Sequence, residues 1–210
     1  MRIAQIPPLY ESLPPLRYGG TERVVYYLVE ELVRRGHEVT VFGTGDSTTS
    51  ARLVPVCDQA LHFDRPRVDP CSFHVLQLGM AYECAHEFDV IHAHVDFRAM
   101  AFARFVTTPT VSTNHNRLDT PEASAFLRAY PEAMVTTLSN SQRQQIGAHR
   151  ICWLGTVYNG VPLDLFPFVP RPGNYLAYLG RFSPEKGPDD AIRVARLTGL
   201  PLRLAGKINA

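Results

Sequence analysis

Residues 18–47 read YGGTERVVYYLVEELVRRGHEVTVFGTGDS. Behind the glycine pair Gly19-Gly20, the residues Val24, Val25, Leu28, Val29, Leu32 and Val33 recur at the spacing that lines one face of an α-helix. Thr21 is the expected N-cap of that helix and Gly36 its expected stop. A β-rich run follows at Glu38–Phe42, and another, Arg2–Ile6, precedes the glycines. Strand, loop, helix, strand is the unit from which parallel sheets with helix-covered faces are built.

Outward from this stretch the alternation continues. Strands are expected at Arg52–Val56, Asp89–Ala93, Thr110–Thr113, Met134–Leu138 and Cys152–Tyr158. Asp69-Pro70 opens a helix to about Glu87, and Asp96 reads as the start of a third helix holding Met100, Phe102 and Phe105. From Gly160 to Gly173 four prolines mark an interdomain linker. A fresh pattern then begins: a strand at Tyr175–Leu179, a loop Gly180–Gly187, a helix from Pro188 to about Leu197, and a strand at Leu202–Ala205. The expected organisation is an α/β, Rossmann-like parallel-sheet domain over 1–160 and a linker over 161–173. Residues 174–210 form a β-α-β start of a second Rossmann-like domain. So short a segment seldom buries enough surface to fold alone, and the chain is read as truncated within that domain.

Composition narrows the partners. Hydrophobic residues make up 45% of the 210 and charged residues 20%, the balance of a soluble globular protein. A formal net charge of +1 with scattered Lys and Arg gives no footprint for nucleic acid. No apolar run reaches the length of a membrane span. Cys57, Cys71, Cys84 and Cys152 lack paired metal spacing and read as reduced thiols of a cytoplasmic protein.

Three constellations carry chemistry. Gly19-Gly20 lies just ahead of a helix, where free N–H groups and the helix dipole favour a phosphate; the plainer account is a turn that lets the helix begin. In Gly180-Arg181-Phe182-Ser183-Pro184-Glu185-Lys186-Gly187, a forked guanidinium and an ammonium flank a loop at the carboxyl end of a strand, a pairing suited to a diphosphate. Two solvated charges at a turn would look the same. Along His92-Ala93-His94-Val95-Asp96, residues two apart share a face of an extended strand, so His92, His94 and Asp96 are the candidates for a metal. A strand-end histidine pair with Asp96 capping the next helix is preferred.

The segments YGGTERVVYYLVEELVRRGHEVTVFGTGDS, FDVIHAHVD, TVYNGVPLDLF and YLGRFSPEKGPDDAIRVA together resemble the family-four glycosyltransferases, in order and across essentially the whole chain. That resemblance implies the GT-B fold, two facing Rossmann-like domains, and sugar transfer with retained configuration. It implies that Arg181 and Lys186 bind the donor diphosphate and that Gly19 and Gly20 lie beside the donor phosphates and the acceptor. His115 takes the place of the catalytic histidine near the transferred sugar. The family's usual His-Gly pair is here Asn114-His115-Asn116, with Asn116 in the glycine's place. Tyr18, Asn114, Asn116, Arg117 and Asp119 are the remaining sugar or acceptor candidates.

The resemblance implies no required cofactor or metal. The donor is a nucleoside diphosphate sugar, with a UDP-sugar expected, and the acceptor is a hydroxyl. The family's Glu-containing motif of the second domain has no counterpart, so a non-catalytic homologue holding a nucleotide sugar, acceptor or partner protein stays open. A nicotinamide-dependent oxidoreductase is set aside because the GxGxxG fingerprint is missing. A homo-oligomer is expected, because Tyr175, Leu176, Ile192 and Val194 lack the partners a complete domain would give them.

Overall fold

The computed structural model describes residues 1–16, 18–62 and 68–207. They divide into two units, Met1–Pro162 and Leu163–Ala210. The first unit comprises β1 (Arg2–Ile6), α1 (Gly20–Arg34), β2 (Glu38–Thr44), β3 (Arg52–Cys57), α2 (Pro70–Glu83), β4 (Val90–Ala93), α3 (Arg98–Ala103), β5 (Thr110–Thr113), α4 (Pro121–Ala129), β6 (Met134–Thr137), α5 (Asn140–Gln145) and β7 (Cys152–Thr156). All seven strands pair in parallel, in the order β3-β2-β1-β4-β5-β6-β7. Ile3 through Ile6 of central β1 are buried without alternation, the mark of a strand covered on both faces.

The two faces can be followed residue by residue. Val39 and Val41 of β2 pack with Val25 and Val29 of α1. Phe42 of β2 and Ala4 and Ile6 of β1 face the other way, onto Leu78 and Ala81 of α2. Buried Gln77 ties α2 to the sheet by donating from Nε2 to the carbonyls of Pro7 (2.7 Å) and Phe42 (2.6 Å). Met100, Leu118, Leu127, Val135 and Ile146 form a further cluster that seats α3, α4 and the end of α5 against β6.

Three sequence expectations are corrected. Thr21 does not cap α1. The helix begins at Gly20 with Gly19 as its cap, at φ 138° and ψ 78°, so the glycine makes the bend and the helix starts earlier than a threonine cap would allow. The second helix keeps its Asp69 cap, whose carboxylate accepts from the N–H groups of Cys71 and Ser72, but it stops at Glu83 before a single 3₁₀ turn at Ala85–Glu87. Asp96 caps nothing. It sits in the left-handed region at φ 56° and turns the chain, so α3 starts at Arg98 and ends before Phe105. The short helices α4 and α5, of 9 and 6 residues, are capped by Thr120 and Ser139. No helix among the described residues is long and apolar enough to cross a membrane.

The second unit pairs β8 (Leu176–Leu179) with β9 (Leu202–Ala205) in parallel around the crossover α6 (Pro188–Thr198). It also holds single 3₁₀ turns at Leu163–Leu165 and Pro184–Lys186. None of its described residues is buried. The last residues of the segment expected to open a second domain, 208–210, lie outside the described residues.

Candidate active site at the carboxyl edge of the sheet

The sheet winds outward in opposite directions from β1 and β4, which makes their boundary the switch point of the topology. Open α/β sheets take ligands in the crevice at the carboxyl ends of the strands there. Around the switch point the chain leaves that edge after Ile6 of β1, after Ala93 of β4 and, one strand further on, after Thr113 of β5.

Five side chains join these strands into one hydrogen-bonded chain. His115 Nε2 and His94 Nδ1 lie 3.0 Å apart, and His94 Nε2 lies 3.1 Å from Gln5 Oε1. Gln5 Nε2 reaches His92 Nδ1 at 3.4 Å, and His92 Nε2 meets Thr113 Oγ1 at 2.7 Å. Thr113 pairs in turn with Thr136 at 2.7 Å. The alternation of the strands explains the convergence: Gln5 and His92 are register partners across β1 and β4, so their side chains share a face. Burial pushes the His92 and His115 imidazoles down to about 4, and pushes His94 well below its ordinary value. The neighbouring histidines push His92 and His94 further down, whereas Asp96 pulls His115 the other way. All three are therefore neutral near pH 7.

The convergence of His92 and His94 expected from strand periodicity is thus present, but Asp96 turns elsewhere. Its carboxylate accepts from Asn116 Nδ2 at 2.9 Å and approaches Arg98 at 3.5 Å. Among the described residues no group of three or more His, Cys, Asp or Glu side chains is arranged to hold a metal ion. Asn114 is fully buried, and both of its side-chain polar atoms lack a partner among the described residues. Arg117 and Asp119 grip each other in a forked pair at 2.8 and 2.6 Å on the surface. Tyr18 is partly exposed ahead of the glycine pair.

Beside that pair lies a residue the sequence reading passed over. Glu22, in the first turn of α1, is 5% exposed, and burial raises its carboxyl to about 7, with the Glu11 carboxylate pushing the same way. Its Oε2 stands 3.1 Å from where a Cβ on Gly19 would sit. Gln5 and Thr113 were likewise not foreseen; the alternation along β1 and β5 was the signal that could have found them.

A cleft of about 510 Å³ opens along α1 over the carboxyl half of the sheet. His92, Thr113 and His115 lie on its polar side and Val24, Tyr27, Leu28, Leu138 and Tyr158 on its apolar side. In the second unit, the Arg181–Lys186 loop follows β8 as expected. Arg181 approaches Glu185 at 3.4 Å, and its buried Nε has no partner among the described residues. Lys186 is exposed.

A sequence model of Glycosyltransferase Family 4 matches residues 18–165. The chain belongs to that family. It is 25% identical over 224 residues to the D-inositol 3-phosphate glycosyltransferase of Mycobacterium leprae strain Br4923, covering 84% of this chain and 52% of that protein. The protein of the same description from Mycolicibacterium smegmatis is 25% identical over 237 residues, with 90% and 54% covered. The chain spans about half the length of these curated relatives. Among solved structures, AviGT4, a glycosyltransferase involved in avilamycin A biosynthesis, superposes with a TM-score of 0.67 at 22% identity, over 99% of this chain and 57% of that one. Sucrose-phosphate synthase from Thermosynechococcus elongatus gives 0.67 at 17% identity, over 98% and 62%. The two structures share the fold, and the seven-stranded parallel unit is the Rossmann-like half of a Family 4 member. The family match spans the glycine pair, His92, His94, Thr113, His115 and the 114–119 loop, while Gln5 lies ahead of it.

Proposed function

We propose that this chain belongs to an enzyme that moves a sugar from a nucleoside diphosphate sugar to an acceptor hydroxyl, with retained configuration. The observation that carries the reading is His115: neutral, half-buried, at the carboxyl edge next to the switch point, in a chain matched by the family model over that segment. A neutral imidazole is suited to bonding a sugar hydroxyl. As the glycosidic bond breaks, negative charge grows on the leaving diphosphate, and groups aimed at that charge lower the barrier. Arg181 and Lys186 supply cationic donors, and the N–H groups at the start of α1 supply dipolar ones. The reading assigns that charge to these groups rather than to a metal ion, and UDP is the nucleotide proposed. The acceptor binds along the first unit, with Tyr18, Asn116, Arg117 and Asp119 as its candidate contacts, and buried Asn114 stands behind them. The relatives' description makes an inositol phosphate an acceptor to test first.

The test incubates the protein with UDP-, GDP- and ADP-sugars and polyol acceptors, inositol phosphate among them, and reads released nucleotide and product mass. A glycosylated product from one pair is expected. No released nucleotide, together with no calorimetric heat from any nucleoside diphosphate at millimolar concentration, would overturn the proposal.

A further inference from the structure

The histidine chain has a direction. The oxygen of Gln5 faces His94 Nε2, and an oxygen only accepts, so that nitrogen carries a proton. A neutral imidazole has one N–H, which leaves His94 Nδ1 as an acceptor. His115 Nε2 must then be the donor at 3.0 Å. On the other side, Gln5 Nε2 donates to His92 Nδ1, His92 Nε2–H donates to Thr113, and Thr113 passes its proton toward Thr136. Every partner in the chain is used once, and no donor faces a donor. His94 is 3% exposed and its backbone N–H is tied to the Ile6 carbonyl at 2.9 Å, so the ring that receives the His115 proton is held from two directions.

We propose that Gln5, acting through His94, fixes His115 as the Nε2–H tautomer, so that its open Nδ1 presents a lone pair and takes a hydrogen-bond donor, a hydroxyl, rather than an anionic oxygen. The inference rests on His115 being the sugar-facing residue only for the identity of that hydroxyl; the tautomer itself stands on the geometry. It makes His94 and Gln5 positioning residues, two and three hydrogen bonds removed from the ligand. It also separates labour within the site: His115 orients, and the diphosphate is left to the cationic and helix-start groups. The titratable and charged groups around the chain are His92 on β4, His94 and Asp96 in the loop behind it, and Glu30, Glu31 and Arg34 of α1, which line the same cleft as His115. Turning the Gln5 amide over would reverse every bond and make His115 Nδ1 a donor, and the two polarities have different spectra.

The test is a long-range ¹H–¹⁵N spectrum of ¹⁵N-histidine-labelled protein near pH 7.5, with no sugar present. Resonances are assigned by single His→Gln substitutions. His115, His94 and His92 are each expected with the proton on Nε2 and a bare Nδ1. His94→Phe removes the acceptor, and His115 is expected to relax to a mixture of tautomers; His94→Asn, which offers an oxygen near the Nδ1 position, restores the single form. A proton on His115 Nδ1 in the parent overturns the proposal, as does a single Nε2–H tautomer that persists in His94→Phe. If His94→Phe does not fold, the parent spectrum decides alone. Because no donor is needed, a failed sugar-transfer assay and a failed tautomer assignment are told apart.

Discussion

Glu22 titrates at about 7 in the fold against an ordinary 4.5, so as pH rises between these values the unfolded chain loses its proton first. Stability is then lost across that window, by about 3 kcal/mol in total at ~1.4 kcal/mol per unit. Glu22→Gln is expected to match the parent near pH 4.5 and exceed it by up to about 3 kcal/mol at pH 8 in urea unfolding; equal curves at both would sink the burial argument. The histidines act in the opposite sense. Their folded values lie below 6.5, so their contribution is present above 6.5 and lost as pH falls toward 4. In the Glu22→Gln background, where nothing offsets them, the unfolding free energy should drop by about 4 kcal/mol or more from pH 7 to pH 5. A flat profile would mean that these rings are hydrated. At this scale the sequence exposed His115 through a motif but hid its partners. Gln5, His94 and Thr113 are separated by up to 108 positions in the chain, and only strand register brings them together. Glu22 was hidden differently, since an acidic residue in a first helical turn normally reads as a solvated partner of the dipole.

The start of α1 is the element on which the phosphate proposal depends, and it separates neighbouring residues sharply. A Cβ on Gly19 would lie 2.8 Å from Pro15 Cβ, and the residue's φ of 138° suits no L side chain. Gly19→Ala should cost about 1–3 kcal/mol, the usual range for a strained backbone. Gly20 has nothing within 4 Å of its Cβ position, so Gly20→Ala is expected to leave the melting temperature unchanged or slightly raised. Thr21→Ala should change little, because that hydroxyl caps nothing, whereas Asp69→Ala at the start of α2 should cost about 1 kcal/mol. Thermal melts of the four variants check the set, and a Thr21→Ala loss as large as that of Asp69→Ala would restore the threonine cap. Strands were legible because a buried parallel strand is a run of apolar and β-branched residues with little else inside it. The helices α4 and α5 were not, because one to three turns carry too few apolar repeats to set a period.

Across the whole chain, the alternation of strand and helix foretold a parallel sheet, but the order β3-β2-β1-β4-β5-β6-β7 follows from crossovers that no local pattern encodes. The two units differ most in burial. Ile6, Val41 and Ile91 in the strands of the first unit are fully buried, while the second unit has no buried residue among those described. Its backbone bonds, such as Leu176 N–H to the Pro201 carbonyl at 2.8 Å and Gly180 N–H to the Ala205 carbonyl at 3.0 Å, are therefore open to water-assisted opening. Amide exchange should show the gradient directly: β1, β4 and β5 protected close to the global unfolding free energy, β8 and β9 exchanging far sooner. Equal protection in both units would show that burial does not govern opening here. The loop proposed to hold the diphosphate sits on this weakly protected unit, so a nucleoside diphosphate that binds Arg181 and Lys186 must slow exchange at Gly180 and along β8 and β9, by the factor 1 + [L]/Kd where the open form does not bind. A hydrogen bond to a charged group contributes roughly 1.5–3 kcal/mol, so Arg181→Ala or Lys186→Ala should weaken binding about 10- to 100-fold and remove most of that slowing. Slowing by UDP that survives both substitutions would place the nucleotide elsewhere and leave the loop a pair of surface charges.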